Sequence, residues 1–190
     1  MSTEIANKSA WHRLVIEHRI KLTYAFAILA LIFIRPSLEA MIWGLPFVVG
    51  GELIRIWASG HIHKFKEVTR TGPYALCRHP LYLGHFLILI GFMIAGNQIW
   101  VAISGIVIFW LIFIPTMQRE ETQLTEMFGD EYRRYMQTTP RVIPRWNAKG
   151  RNAGSFNPAL VAQHRELNNI IGLAAALLIF ATLGLLHASW

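Results

Sequence analysis

Apolar residues are grouped into five long runs along the chain, and short polar or basic segments separate these runs. The runs cover residues 22–34, 40–59, 81–96, 99–116 and 170–187. A straight helix needs about 20 apolar residues to cross a bilayer, and tilt or interfacial flanks allow a shorter run to do so. The pattern therefore predicts an all-α, polytopic membrane helix bundle of about five transmembrane helices. We expect helices one and two, and helices three and four, to pack as hairpins, because only tight turns join them.

The ends of the third and fourth helices can be located from local signals. Pro80 directly precedes the third run, and proline is favoured at the first position of a helix, so helix three is predicted to begin there. Beyond the fourth run, residues 117–137 keep a helical spacing of apolar residues until Gly129 interrupts it. We expect helix four to extend out of the bilayer, break at Gly129 and be followed by a short amphipathic helix. Its Tyr132 and Tyr135 are interpreted as anchors at the lipid interface.

The composition supports a membrane location and indicates an orientation. Hydrophobic residues make up 54% of the chain and charged residues 15%, whereas about 25% charged residues is usual in a soluble domain. The net charge is +7, with the basic residues near the N-terminus, in 60–80 and in 117–169. Cytoplasmic loops are rich in Lys and Arg, so these segments and the N-terminus are predicted to be cytoplasmic. No basic stripe with stacking aromatic residues occurs, so no nucleic-acid partner is expected. The polar N-terminus predicts no secretory signal peptide.

These features predict three parts of the chain. Residues 1–146 form a membrane core, 147–169 a cytoplasmic linker rich in Gly, Asn and basic residues, and 170–187 the fifth transmembrane helix. Cys77 is the only cysteine, which excludes an intramolecular disulfide, and it is interpreted as a small filler of the core. The histidines do not form an HxxxH or HxxHH cluster, so no metal is expected.

The stretch TGPYALCRHPLYLG, residues 71–84, carries chemistry at the start of helix three. The free N–H groups of a helix start form an anion site. Arg78 adds a positive charge beside this start, and Tyr74 and Tyr82 add aromatic rings near His79. The stretch therefore predicts a site for a ligand that carries a negative charge.

Two adjacent acids, Glu120 and Glu121, lie where helix four leaves its apolar run. Carboxylates at a membrane edge are costly unless they are solvated or paired. Neighbouring residues point about 100° apart on a helix, so one acid can face solvent and the other the bundle interior. Because a tight turn joins helices three and four, their far ends lie at the same depth. The acids and the helix-three start then form a corner that fits a zwitterionic amino-acid ligand.

The same stretch and the later EETQLTEMFGDEYRRY together resemble the isoprenylcysteine carboxyl methyltransferase family. This family belongs to a wider group with the phospholipid N-methyltransferases. Every fixed position of its patterns G-x-Y-x-x-x-R-H-P-x-Y-x-G and E-E-x-x-L-x-x-x-F-G-x-E-Y-x-x-Y is matched, and the resemblance covers residues 58–144. It implies methyl transfer from S-adenosylmethionine inside a small membrane bundle with a cytoplasmic cofactor pocket. It also implies a lipid substrate that enters between helices, and no metal.

The resemblance also implies the site residues by their positions. The candidate catalytic residues are Glu120, Glu121, His79 and Arg78. An amine or thiol acceptor has to lose a proton, for which His79, His85 or Glu121 are candidates. The implied contacts to S-adenosylmethionine come from Lys66, Glu67, Val68, Thr69, Tyr74, His79, Pro80, Leu81, Tyr82 and Glu120.

The methyl acceptor stays open between several chemistries. The resemblance implies carboxyl O-methylation of a lipid-like or prenylcysteine-like acceptor, and N- or S-methylation of a phospholipid or small amphiphile is the alternative. Family enzymes that act on prenylcysteine carry an arginine one helical turn before the matching glutamate, where this chain has Thr116. Glu52 and Arg55 are interpreted as a self-satisfying intramembrane pair, with a role in lining the substrate path as the alternative. The expected partners are a lipid or lipidated small molecule and membrane lipid, and the oligomeric state stays open.

Two other classes of protein remain as alternatives. Membrane sterol reductases contain a comparable R-H-P segment and bind a nicotinamide cofactor, although they are much longer. A membrane protein without enzymatic activity, in which both motifs are vestigial, is the other alternative. Binding of an S-adenosyl compound, of a nicotinamide nucleotide or of neither separates the three hypotheses.

Overall fold

The computed structural model describes residues 10–63, 66–145, 154–164 and 166–188. Every regular element in these ranges is helical, which confirms the predicted all-α class. A short 3-10 turn, Gly72–Ala75, precedes α3. The helices are α1 (Ala10–Phe33), α2 (Leu38–Ser59), α3 (Pro80–Gly96), α4 (Ile99–Phe128), α5 (Asp130–Thr138), α6 (Pro158–Gln163) and α7 (Glu166–Ala188).

Each of the five apolar runs is a helix, but the helices differ in length. Within the described ranges, α2, α4 and α7 are long and apolar enough to cross a membrane, whereas α3 and the part Lys21–Phe33 of α1 are shorter. Large apolar side chains point outward, since Trp43 is 67%, Trp100 77% and Leu178 69% exposed. Such an outer surface suits contact with lipid tails rather than water.

A seam of glycines joins α2 to α3. A Cβ on Gly51 would lie 2.6 Å from the carbonyl oxygen of Gly84, and one on Gly91 would lie 2.7 Å from that of Gly44. Without side chains at these positions the two backbones approach closely, as is common where membrane helices pack. The seam also places the side chain of Arg55 directly over Gly84, and it thereby brings a charged residue of α2 to the start of α3.

The helices pair differently from the predicted hairpins. The prediction for helices one and two is wrong, because α1 packs mainly against α4 while α2 packs against α3. The glycine face of α2 complements α3, and α1 instead meets α4, where a Cβ on Gly105 would lie 3.4 Å from the ring of Phe26. The hairpin of α3 and α4 is confirmed, and Asn97 forms its turn with a left-handed φ of 50°.

The chain after α4 folds back onto the start of α3. Gly129 has a φ of 56° and separates α4 from α5, as predicted. Beyond α5, the N–H of Arg78 donates to the carbonyl of Pro140 at 2.9 Å, and the N–H of His79 donates to that of Arg141 at 3.0 Å. We call this end of the bundle, where α2 ends and α3 begins, the site end. Its cytoplasmic orientation stays a prediction.

The segment 154–164 also reaches the site end. The N–H of Asn157 donates to the carbonyl of Gly60 at 2.9 Å, and the ring of Phe156 covers Gly60. This segment contains α6 and leads into α7, which packs against α2. It belongs to the region 147–169 that was predicted as a linker. The rest of that region that lies outside the described residues is 147–153 and 165.

Candidate active site

A cavity of about 280 Å³ lies at the site end of the bundle. Residues of α2, α3, α4 and α5 form its wall, together with the described chain between α2 and α3 and the C-terminal segment. Three of the predicted site residues lie off this wall: Lys66 is exposed, whereas Pro80 and Glu121 are buried. The predicted residues on the wall are Glu67, Val68, Thr69, Tyr74, Arg78, His79, Leu81, Tyr82, His85 and Glu120.

Of the two adjacent acids on α4, Glu120 is the one that faces the cavity. The hydroxyl of Tyr82 donates to its Oε1 at 2.7 Å, and Nδ1 of His79 lies 3.8 Å from its Oε2. The side chain of Glu120 is 27% exposed and that of Glu121 is 8% exposed. The two neighbours therefore point to different surroundings, as their helical spacing requires, and only Glu120 can meet a ligand.

Glu121 is held inside the protein by three basic side chains. Its carboxylate lies 3.1 Å from Nε2 of His79, 3.1 Å from Nη2 of Arg78 and 2.6 Å from Nη2 of Arg141. Since a carboxylate oxygen accepts, Nε2 of His79 carries a hydrogen. The hydrogen bond to Glu121 raises the pKa of Arg141. Glu121 thus ties α4 to the start of α3 and to the segment after α5.

Tyrosines of α5 complete one wall of the cavity. The prediction that they anchor at the lipid interface is wrong, because Tyr132 is only 2% and Tyr135 only 5% exposed. The hydroxyl of Tyr135 donates to the carbonyl of Tyr74 at 2.7 Å. Burial raises the pKa of Tyr132 to about 12, so its phenol stays protonated at neutral pH. The turn at Gly129 directs α5 inward over the cavity, and this explains the burial.

Two buried donors of the wall have no partner among the described residues. They are the hydroxyl of Tyr74 and Nε of Arg78. Burial raises the pKa of Tyr74 well above its usual value, so its hydroxyl remains a donor. Orphan buried donors are rare unless a ligand or water satisfies them. Together with the acid Glu120 and the ring of Tyr82, they fit the carboxylate, ammonium and sulfonium groups of S-adenosylmethionine.

A second polar group lies where α2, α3 and α7 meet. Arg55 donates from Nη1 to Nε2 of His85 at 2.7 Å and from Nη2 to Oε2 of Glu166 at 2.8 Å. Its Nε lies 3.5 Å from Oε2 of Glu52, so the predicted ion pair forms. The pair does not satisfy itself as predicted, because Nε of Arg55 and Oε1 of Glu52 have no hydrogen-bond partner among the described residues. Nδ1 of His85 lies 2.9 Å from the carbonyl of Leu81 and must donate to it, because a carbonyl only accepts.

Several residues of the wall were not identified as site residues from the sequence. His164 and Glu166 line the cavity, but they lie beyond both motifs and no spacing in the sequence connects them with it. Tyr132 and Tyr135 also line the cavity. They occupy fixed positions of the second motif, and this was a signal that they belong to the site.

Comparison with known proteins supports the resemblance. Residues 41–131 match the family model described as phospholipid methyltransferase. The chain is 33% identical over 104 residues to the nickel-cobalt-cadmium resistance protein NccN of Alcaligenes xylosoxydans xylosoxydans, covering 54% of this chain and 48% of that protein. It is 32% identical over 126 residues to protein-S-isoprenylcysteine O-methyltransferase of Mus musculus, covering 57% and 44%. It is 38% identical over 73 residues to methanethiol S-methyltransferase 1 of Bradyrhizobium diazoefficiens, covering 37% and 24%.

The fold defines a membrane-embedded helix bundle with a cavity at one end. The matches confirm the resemblance inferred from the two motifs: the chain is related to the isoprenylcysteine carboxyl methyltransferases and the phospholipid methyltransferases. It is an integral membrane protein. The chain spans about half the length of the first curated relatives, 48% and 44%. No solved structure matches it.

Proposed function

We propose that this protein is an integral-membrane methyltransferase that uses S-adenosylmethionine and acts on a lipid-like amphiphile. The observation that carries the proposal is the cavity that joins Tyr74, His79, Tyr82 and Glu120 at the site end. The names of the relatives support it, since one is an O-methyltransferase and another an S-methyltransferase.

The residues of the wall would hold the cofactor by its polar groups. The bound cofactor supplies a methyl group that its sulfonium already activates. Glu120 accepts from the ammonium group, while the Tyr74 hydroxyl and Nε of Arg78 donate to the carboxylate. The rings of Tyr74 and Tyr82 stabilise the positive sulfonium by about 0.5–2 kcal/mol. Transfer then depends mainly on orientation, which these fixed contacts provide.

The surroundings of Glu121 favour a positioning role over the catalytic role that the sequence predicts for it. It lies off the cavity wall and is surrounded by Arg78, His79 and Arg141. We propose that it positions His79 and the start of α3 rather than removing a proton from the acceptor.

The site lacks the arginine that would bind the carboxylate of a prenylcysteine acceptor at the position of Thr116. Thr116, which stands where those family enzymes carry the arginine, is 1% exposed, and its hydroxyl donates to the carbonyl of Ile112 at 2.8 Å. It therefore offers no cation to a substrate carboxylate. The acceptor class depends on the polar group between α2, α3 and α7.

Methyl transfer can be tested in membranes that contain the protein. After incubation with methyl-labelled S-adenosylmethionine, the lipids are extracted and the labelled product is identified by mass spectrometry. We expect labelled lipid-soluble product, and we expect Glu120→Gln to lower its rate at least about tenfold, because the ammonium loses its acid. Glu126→Gln, an exposed acid on the same helix, should stay within about twofold of wild type. Absence of product, or equal rates in both variants, would disprove the proposal.

A further inference from the structure

The cavity contains a carboxylate that the proposed cofactor site does not use. Glu166 lines the cavity and is 4% exposed. Its Oε2 accepts from Nη2 of Arg55 at 2.8 Å and from Nδ2 of Asn169 at 2.9 Å. Its Oε1 has no hydrogen bond to any residue that the structure describes. One oxygen of this buried carboxylate is thus fixed, and the other is left for a ligand.

The neighbouring cation cannot receive an anionic acceptor. Two nitrogens of Arg55 make hydrogen bonds to protein groups, Nη1 with His85 and Nη2 with Glu166. Its buried Nε lies 3.5 Å from Oε2 of Glu52 and has no hydrogen-bond partner among the described residues. Arg55 is not part of the cavity wall, whereas Glu166 is. Because Arg55 lies off the wall, an acceptor carboxylate in the cavity would meet the like charge of Glu166 there, and such repulsion is strong in a buried site.

The polar group formed by Arg55, His85 and Glu166 lies next to the residues proposed to bind the cofactor. His85 lies five residues after Pro80, which is about 8 Å along a helix. Tyr82 lies between the two ends of the cavity, with its hydroxyl 2.7 Å from Glu120 and its ring 6.3 Å from that of His85. The polar group around Glu166 thus lies at a depth in the bundle that suits the head group of an amphiphile, with its tail extending along the apolar helices.

We propose that Glu166 binds the methyl acceptor and selects an amphiphile with an amine head group over one with a carboxylate. The inference rests on the proposed function and narrows its acceptor. Glu166 lies outside the family match at 41–131, so the selecting residue comes from the C-terminal segment of this chain. A buried carboxylate with one free oxygen is a natural partner for an alkylammonium group.

The proposed reaction balances in atoms and charge. The alkylammonium loses one proton to Oε1 of Glu166, which passes it to water at the cavity mouth. The nitrogen lone pair forms the new N–C bond while the S–C bond of the methyl donor breaks and its electron pair stays on sulfur. The products are a methylated ammonium, S-adenosylhomocysteine and one released proton. His85 does not serve as the base, because its Nε2 lone pair accepts from Arg55.

Three amphiphiles that differ in their head group test whether the protein selects an amine acceptor. The purified full chain in lipid nanodiscs is incubated with methyl-labelled S-adenosylmethionine and either dodecylamine, dodecanoate or dodecanethiol. We expect N-methyldodecylamine to form at least about tenfold faster than methyl dodecanoate or the methyl sulfide. A faster carboxylate or thiol reaction would overturn the inference, and so would an unmethylated amine while S-adenosylhomocysteine still binds. Failure of S-adenosylhomocysteine to bind would instead overturn the proposed function.

Variants of Glu166 distinguish an effect on acceptor selection from an effect on folding. Glu166→Gln should lower the amine rate at least about tenfold while the affinity for S-adenosylhomocysteine stays within about twofold. Glu166→Asp keeps the charge and should restore part of the rate and the amine preference. Glu126→Gln, at an exposed acid that is not part of the cavity wall, is the matched control. A smaller fall with Glu166→Gln, or loss of the amine preference in Glu166→Asp with an unchanged melting temperature, would contradict the assignment.

Discussion

Glu120 and Glu121 are neighbours in the chain, yet the structure gives them opposite surroundings. Glu120 faces the cavity and accepts from Tyr82, whereas Glu121 is enclosed by Arg78, His79 and Arg141. The helical rotation between adjacent residues explains the difference. At the scale of single residues, one acid is available to a ligand and the other stabilises the fold around it.

This contrast predicts different effects on stability. Glu121→Gln removes the charge that compensates Arg78 and Arg141. Because Arg141 is 40% exposed, we expect a loss of about 2–3 kcal/mol rather than the full cost of a broken buried pair. That loss corresponds to a melting temperature lower by roughly 5–10 °C. Thermal unfolding in detergent, followed by tryptophan fluorescence, measures it. The control Glu120→Gln should change the melting temperature by less than about 3 °C, and equal shifts in both variants would refute the distinction.

At the scale of helices, the glycine seam determines where α2 and α3 place their polar residues. A Cβ on Gly51 would lie 2.6 Å from the carbonyl oxygen of Gly84 and 2.8 Å from Cγ1 of Ile88. The close approach brings Arg55 of α2 within 2.7 Å of His85 on α3. The packing of two helices therefore builds one end of the cavity.

A bulky residue in the glycine seam is predicted to destabilise the protein, and the neighbouring Gly50 provides a matched control. Gly51→Leu should separate α2 from α3, destabilise the protein by about 1–3 kcal/mol or more and weaken ligand binding, because no space exists for the side chain. Gly50→Leu is the control, since a Cβ at Gly50 would meet nothing within 4 Å. Melting temperatures of both variants in detergent measure the effect. If Gly51→Leu melts no lower than Gly50→Leu, the seam does not hold the helices as described.

At the scale of the whole molecule, the sequence predicted the features that depend on local patterns better than those that depend on contacts between distant segments. The five helical runs, the start of α3 at Pro80 and the break at Gly129 follow from apolar patterns and from proline and glycine. Cys77 was interpreted as a filler, and it is 1% exposed, with burial raising its pKa to about 11. These features depend on residues close together in the chain.

The remaining features depend on contacts between distant segments. The glycine-rich face of α2 packs against α3, and α1 packs against α4 instead. The apolar periodicity of the sequence does not reveal which helices pair in this way. The inward position of Tyr132 and Tyr135 requires α5 to fold back over the chain near Tyr74. Glu166 reaches Arg55 across 111 residues of sequence, so no local pattern could have placed it at the cavity.

The site end is proposed to bind the amino-acid part of a methyl donor, and calorimetry measures this binding. S-adenosylhomocysteine is titrated into the purified protein in detergent, with NADPH as the competing nucleotide. We predict binding of S-adenosylhomocysteine but not of NADPH, with affinity reduced more than about tenfold in His79→Ala and Tyr74→Phe and unchanged in Glu126→Ala. No binding by the wild-type protein, or equal affinity in all variants, would show that the site end does not bind the methyl donor.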